Sequence, residues 1–312
     1  MSRPVTISSL GPAALSGGAD LPFEDALAQM QSFWQSQIAT VSPDKPDLIV
    51  VPEACDRYPA MPLERRLDYY RFRGDRMRDC FAAAAREHSC YIAYSAAREL
   101  PDGTWRNSTQ IIDRTGNVIG VYNKNHVVIE ETTNAGILCG KDAPLIECDF
   151  GTVGCAICFD LNFAPIREKY VAQKPDLIVF CSMYHGGLMQ NYWAYNCRAH
   201  FVGAICGNQC TVINPLGELV AQSTNYHHWV TTTVNLDCTL AHLDYNGGKF
   251  RAMKKAYGRG VTISDPGNLG SVMLTCNIEG KTVQNLVEEF EVELLDDYWA
   301  RALKHRQGNT EA

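Results

Sequence analysis

Lys45-Pro46-Asp47-Leu48-Ile49-Val50 recurs downstream as Lys174-Pro175-Asp176-Leu177-Ile178-Val179. In each copy a Pro-Asp turn leads into an unbroken apolar triplet, the pattern of a strand buried on both faces. Each copy also follows a predicted helix. A hairpin pattern lies downstream of each in the same order. The first runs Thr109–Asp113, Arg114-Thr115-Gly116-Asn117, Val118–Tyr122, and the second Thr211–Asn214, Pro215-Leu216-Gly217-Glu218, Leu219–Gln222. A six-residue word alone recurs by chance, but a word repeated in matching context predicts a pseudo-symmetric two-layer body built from two similar halves.

Working outward, strand and helix patterns alternate, which predicts the α/β class. Strands are expected at Val5–Leu10, Leu48–Val51, Cys90–Ser95 and Trp229–Asn235. Apolar residues at helical spacing predict a helix over Phe23–Ala39 capped by Asp20, and one long helix over Leu63–Arg86. Beyond about Leu240 the pattern loosens. Gly247–Gly260 is basic and glycine-containing, Val261–Gly267 reads as a short strand and turn, and Val283–Leu303 as an acidic helix. Without a Ser/Gly linker to set it apart, residues 1–312 are expected to form one domain, with a core of about 4–240. The extended tail of about 241–312, poor in apolar runs, is expected at a subunit interface.

With 46% hydrophobic residues the chain can bury a large core, and its net charge of −7 argues against nucleic acid and anionic membrane as partners. Residues 1–7 lack the apolar core of a signal peptide, and no run approaches the roughly 18–20 apolar residues of a membrane span. The expectation is a soluble, cytoplasmic protein. Thirteen cysteines is an odd count for a disulfide framework, and Cys155, Cys181 and Cys206 lie inside apolar runs as small hydrophobes would. No cysteine or histidine pairs stand at zinc spacing, so neither metal nor cofactor is expected. Cys155 and Cys158 form a CxxC by count, but strand geometry turns them to opposite faces, against a redox pair.

Chemistry concentrates where three strand-like runs each end in a different reactive group. Leu48-Ile49-Val50-Val51-Pro52-Glu53 ends in an acid, Val121-Tyr122-Asn123-Lys124-Asn125-His126 in a lysine, and Thr152-Val153-Gly154-Cys155-Ala156-Ile157-Cys158-Phe159-Asp160 in a thiol. Taken singly, each has a plainer explanation: a solvated acid, a surface lysine, a buried cysteine. Together they supply a nucleophile, a base to remove its proton, and a cation for the thiolate and the developing oxyanion. No histidine is then required. Asp160 serves equally well as an anchor for the turn after the thiol.

These segments, in this order, resemble the three signature segments of the nitrilase, or carbon–nitrogen hydrolase, superfamily. Arg198-Ala199-His200, Asn214-Pro215-Leu216-Gly217 and the strand ending at Asp237 extend the resemblance over roughly residues 4–240. It implies a four-layer α-β-β-α sandwich and a covalent thioester intermediate. It further implies Glu53 as general base, Cys158 as nucleophile, and Lys124 with the Phe159 backbone N–H as oxyanion donors. The family's second, assisting glutamate is Glu131 or Glu130, with Glu131 preferred because Thr132 and Thr133 follow it.

Within that superfamily, true nitrilases follow the cysteine with Trp-Glu. Here Phe159-Asp160 is closer to amidases and carbamoylases, while Asn162-Phe163-Ala164-Pro165 departs from the usual Phe-Pro-Glu. The expected reaction is hydrolysis by water of a small linear amide or N-carbamoyl compound, with release of ammonia. Nitrile hydrolysis by the same residues, or a silent scaffold on the same fold, are the alternatives. Tyr58, Phe159, Tyr184 and His185 are candidate substrate contacts, and a homodimer or higher homo-oligomer is expected by analogy.

Overall fold

The computed structural model describes residues 2–311, and the two echo words occupy equivalent places in two six-stranded sheets. The chain runs through β1 (Pro4–Leu10), α1 (Phe23–Val41), β2 (Leu48–Val50), α2 (Leu63–Arg73), α3 (Arg76–His88), β3 (Tyr91–Glu99), β4 (Trp105–Ile112), β5 (Val118–Asn123) and α4 (Ile129–Ala135). It continues through β6 (Ile146–Cys148), β7 (Gly151–Ile157), α5 (Ala164–Gln173), β8 (Leu177–Ser182), α6 (Leu188–Cys197), β9 (His200–Ile205), β10 (Thr211–Ile213), β11 (Leu219–Gln222) and β12 (Trp229–Asn235). The sheet orders are β12-β1-β2-β3-β4-β5 and β11-β10-β9-β8-β7-β6. In each, three parallel strands (β1-β2-β3 and β7-β8-β9) are followed by an antiparallel hairpin.

The repeat extends to single hydrogen bonds. Lys45 and Lys174 both turn through the left-handed region, at φ +49° and +53°. The carboxylates of Asp47 and Asp176 then accept from the N–H of Thr6 and Thr152, each at 2.9 Å. Both hairpins turn on an Asx loop. Asp113 Oδ1 accepts from the N–H of Thr115 (2.9 Å) and Asn117 (2.8 Å), and Asn214 Oδ1 from those of Leu216 (2.9 Å) and Glu218 (3.1 Å). Gly116 and Gly217 supply the positive φ of +81° and +79°. The two-half organisation read from the echo is the organisation of the fold.

The sheets face each other, β2 against β9 and β4 against β7, with Ser9 Oγ donating across the seam to the Gly203 carbonyl at 3.0 Å. Helices α1–α3 cover the outer face of the first sheet, where Trp34 meets Phe81 (5.7 Å between ring centroids) and Phe81 stacks on Tyr94 (4.8 Å). Helices α5 and α6 cover the second, where the buried Tyr170 hydroxyl bridges the Cys155 backbone and buried Trp193 donates to Leu161 O. This is the expected four-layer α-β-β-α sandwich. Each fully buried aromatic contributes on the order of 2–3 kcal/mol of transfer free energy.

Several local expectations are corrected. The helix expected over Leu63–Arg86 is two helices, because Gly74 turns at φ +50°, ψ −126°, a conformation closed to most side chains. Helix α1 starts at Pro22 without a side-chain cap, so Asp20 does not cap it.

Residues 5–234 form one compact unit, and residues 2–4 with 235–311 form a second. In the second, β13 (Cys238–His242) and β14 (Val261–Ser264) both pair antiparallel with β15 (Ser271–Cys276), accompanied by α7 (Gly247–Tyr257), α8 (Val283–Glu289) and α9 (Leu295–Gln307). The tail, read as poor in apolar runs, has a core of its own that includes Phe250, Met253, Val261, Leu274 and Leu286. Its apolar residues are scattered along the sequence and converge only on folding. The acidic helix expected over Val283–Leu303 is split, with Glu291 at φ +52° between α8 and α9. No helix among the described residues is long and apolar enough to cross a membrane.

Candidate active site

Three turns at the carboxyl ends of β2, β5 and β7 carry Glu53, Lys124 and Cys158 to one place. Lys124 lies in the centre, 2% exposed, and its Nζ donates to Glu53 Oε1 at 2.8 Å and Glu131 Oε2 at 2.7 Å. Its backbone N–H is held by the Asn107 carbonyl at 2.8 Å. Burial alone pulls a lysine down, but here the charges of Glu53, Glu131 and Cys158 outweigh it and hold the ammonium above its ordinary range.

Glu131 sits in the first turn of α4. Its Oε2 also accepts from the Val128 N–H at 2.9 Å, and Glu130 beside it is exposed. Helical geometry turns adjacent residues 100° apart, so only one of two neighbours can face the lysine. That one is Glu131.

Asn107, on β4, is a residue the sequence reading passed over. Its Nδ2 donates to Glu53 Oε1 at 2.8 Å, the oxygen that also accepts from Lys124, and to Glu131 Oε1 at 3.0 Å, so it ties the two carboxylates together a second time. It lay just outside the strand expected at Thr109–Asp113. A signal was present: a polar Asn107-Ser108-Thr109 run adjoining an apolar strand.

Cys158 follows β7 as the first residue of a 3-10 turn, at φ +47°. This left-handed conformation is costly for a residue with a Cβ and persists only where its surroundings impose it. Asp160, fully buried, does so. Its Oδ2 accepts from the Ile157 N–H (3.1 Å) and the Tyr122 hydroxyl (2.7 Å), and its Oδ1 from the His126 N–H (2.7 Å). One carboxylate thus ties the thiol turn to both sides of Lys124. Burial pushes the Cys158 thiol up to about 12, the Glu53 charge adds to this, and Lys124 opposes it. The Met183 backbone N–H also faces the sulfur. Burial and the neighbouring Glu53 thus favour the protonated thiol.

The turn after Glu53 is strained in the same way, with Ala54 at φ +47°. It is pinned by a buried ion pair, Arg73 Nε to Asp56 Oδ2 at 2.8 Å, with the Tyr94 hydroxyl on the same oxygen at 2.6 Å. The Cys55 N–H adds a bond to the Ser95 carbonyl at 3.1 Å.

The candidate substrate contacts separate. Phe159 is 36% exposed beside the thiol and edge-on to Phe163. Tyr184 lies close to the thiol: burial pushes its hydroxyl up, the Cys158 charge adds to this and the Asn162 side chain opposes it, while Asn162 Nδ2 also donates to the Phe159 carbonyl at 3.1 Å. His185 serves its own turn, its Nδ1 accepting from the Gly187 N–H at 3.1 Å. Tyr58 is fully buried in the helix layer, its hydroxyl donating to the Ala26 carbonyl at 2.7 Å and its ring edge-on to Tyr69. Its expected substrate contact is corrected to a packing role. Cys155 is buried, and burial with the neighbouring Cys181 and Cys148 pushes its thiol up. All thirteen cysteines are free. Among the described residues no cluster of three or more His, Cys, Asp or Glu side chains is placed to hold a metal ion.

A carbon–nitrogen hydrolase family model matches residues 22–241. A hydrolase in the agr operon of Staphylococcus lugdunensis is 26% identical over 211 residues, 61% of this chain and 88% of that protein. The NitFhit protein of C. elegans superposes at a TM-score of 0.64 and 16% identity, over 82% of this chain and 64% of that one, so the chain spans less than two thirds of it. An amidase mutant from Nesterenkonia sp. AN1, with the acetamide moiety of fluoroacetamide added covalently at its active-site cysteine, superposes at 0.61 and 16% identity, over 75% and 90%. At that identity the structural likeness carries the fold.

Proposed function

The chain belongs to the carbon–nitrogen hydrolase family, and from that premise we propose that it hydrolyses a small linear amide or N-carbamoyl compound through a thioester on Cys158, releasing ammonia. The observation that carries this reading is the bridged ammonium of Lys124 between Glu53 and Glu131, beside a thiol that the Glu53 carboxylate can deprotonate.

A thiol pushed up to about 12 offers almost no free thiolate at neutral pH, so its proton must leave as the sulfur attacks. Glu53 takes that proton while Sγ bonds to the substrate carbonyl carbon and the carbonyl π pair moves to oxygen. A lysine ammonium has three N–H donors, and two are committed to Glu53 and Glu131. The third, with the Phe159 backbone N–H, receives the oxyanion. Collapse breaks the C–N bond, and Glu53 returns the proton to the departing nitrogen as ammonia. Water then attacks the thioester with Glu53 again as base, freeing the acid and the thiol. Glu131 and Asn107 keep the ammonium and the base in register throughout, and the Tyr184 hydroxyl near the thiol supplies a substrate contact. The addition of an acetamide moiety to the active-site cysteine of the Nesterenkonia amidase supports a nucleophilic cysteine at this place in the fold.

An ammonia-release screen across primary amides, N-carbamoyl amino acids and nitriles tests the reading. The expected result is turnover of an amide or carbamoyl compound, a mass adduct on Cys158, and loss of at least about 10⁴-fold in Cys158→Ala with an unchanged melting curve. Full activity in Cys158→Ala would sink it.

A further inference from the structure

The basic stretch in the tail has no part in the chemistry at Cys158. Residues 247–260 carry five basic side chains and no acid, in a chain of net charge −7. They form α7 and the tight turn after it, beyond residues 22–241 of the family match. The segment buries Phe250 and Met253 in the tail's core and leaves Arg251, Lys255 and Arg259 exposed. Among the described residues no carboxylate pairs with these three, and Lys254 Nζ donates to the carbonyls of Gly258 (2.7 Å) and Val261 (2.8 Å). Glu289 and Glu293, the acids that α7 approaches through Tyr257 and Lys249, pair with Lys281 and Arg301. The basic surface is left without a counter-charge.

An open groove of about 690 Å³ is lined by Arg251, Lys254 and Arg259 and by Val261, Thr262 and Ile263 of β14. Strand β14 is an outer strand of the sheet β13-β15-β14. Two bonds set its phase. The Asn277 N–H donates to the Gly260 carbonyl at 2.8 Å, and the Cys276 N–H turns the other way, to the Asp237 carbonyl at 3.1 Å. Val261 stands opposite Cys276 and Ile263 opposite Leu274, so the alternation of an antiparallel ladder turns the backbone groups of Val261 and Ile263 away from β15. Lys254 takes the Val261 carbonyl. Among the described residues no strand pairs with the outward N–H and C=O of Ile263.

A free strand edge accepts another extended chain, and basic flanks select the charge of that chain. We propose that α7 and β14 form a docking groove for an acidic extended peptide of a partner protein, which joins the sheet as a fourth strand through Ile263. Side chains at alternate positions of such a strand share a face, so its carboxylates line up on the α7 side against Arg251 and Arg259. A second copy of this chain suits the groove less well, because pairing β14 with β14 brings two basic segments together. The proposal does not depend on the hydrolase reading.

The test uses the full chain and short fluorescein-labelled peptides, followed by anisotropy. An alternating Glu-Val peptide should bind roughly tenfold or more tightly than a Glu-Pro peptide of equal charge, whose prolines cannot join a ladder, and than a Lys-Val peptide. Arg251→Gln combined with Arg259→Gln should weaken the Glu-Val peptide by about tenfold or more. Ile263→Pro removes the outward N–H at an edge position where proline is tolerated, and should weaken it by about fivefold or more. If melting curves show that Ile263→Pro unfolds the tail, the peptide comparison on wild type and the arginine variant decides. No binding, equal binding of the two acidic peptides, or tighter binding of single-stranded DNA of equal charge overturns the proposal. So does a wild-type dimer that Ile263→Pro dissolves, which assigns the edge to a second copy.

Discussion

The two halves of the sandwich share a frame and divide the chemistry. The turn after β2 carries Glu53, and the equivalent position after the Leu-Ile-Val of β8 is Ser182, whose hydroxyl only closes its own turn through Tyr184 at 2.6 Å. Strand β7 leads directly into Cys158, and the strand that matches it in the first half, β1, runs on into Gly11-Pro12. Repetition therefore supplies two sets of strand ends, and only some of them carry reactive groups. The turns differ in how they are stiffened as well. After β2 a buried ion pair, Asp56–Arg73, holds the shape. After β8 a neutral network does so, with the buried Gln190 donating to the His185 carbonyl and accepting from Thr211. Strain is tolerated where a reactive side chain must be aimed, and a buried carboxylate holds it in each case: Asp56 at Ala54, Asp160 at Cys158.

The largest effect that sharpens this comparison comes from Glu53→Gln. Turnover should fall by roughly 10²–10⁴-fold as the base is lost. The thiol, relieved of a neighbouring negative charge but still beside Lys124, should ionise at lower pH than in the wild type. Thiolate absorbance against pH reads this directly, and an unchanged or higher ionisation pH would break the electrostatic account.

Next, Arg73→Met leaves the buried Asp56 without its cation and with the Tyr94 hydroxyl on Oδ2. It should cost about 3–5 kcal/mol by denaturant unfolding, against about 1–3 kcal/mol for Gln190→Ala in the neutral network. Equal costs would erase the contrast between the two turns.

The halves also differ in titration. The Asp47 carbonyl accepts from the Tyr91 N–H, and in the same place the Asp176 carbonyl accepts from that of His200. Burial pulls His200 down to about 4, with Asp176 opposing. Its folded-state value lies below the unfolded value of 6.5, so the associated stability is present above pH 6.5 and is lost as pH falls towards 4, by about 3 kcal/mol. His200→Phe should flatten that limb of the stability curve, measured as melting temperature from pH 7 to 4.

The smallest effects belong to the hairpin glycines. Both need positive φ, so alanine costs about 1–2 kcal/mol at either. A Cβ on Gly116 would stand 2.2 Å from Arg86 Nη1 and 2.8 Å from the Ala82 carbonyl, whereas on Gly217 the nearest atom is the Asn191 carbonyl at 3.0 Å. Gly116→Ala should therefore be the more damaging in thermal melts.

How much of this was legible in the sequence follows from how local each cause is. The echo words, the hairpins and the strand ends at Glu53, Lys124 and Cys158 were readable because strand periodicity and turn chemistry act over a few residues. The break at Gly74 was missed because a glycine inside a helical pattern does not announce whether the backbone leaves helical φ and ψ there. The tail's core was missed because its apolar residues meet only across the sheet of β13, β14 and β15. Tyr58 was misread because nearness in sequence to Glu53 says nothing about which way a turn residue points.

The sequence by itself determined the two-half α/β plan and the reactive residue types at three strand ends. The choice of Glu131 over Glu130 waited on the phase of a short helix, and the role of Asn107 on the register of β4. The resting state of Cys158 was also decided only in three dimensions, because desolvation and two opposing charges set it. Those charges come from residues far apart in the chain, and their balance exists only once the fold has brought them together and excluded water.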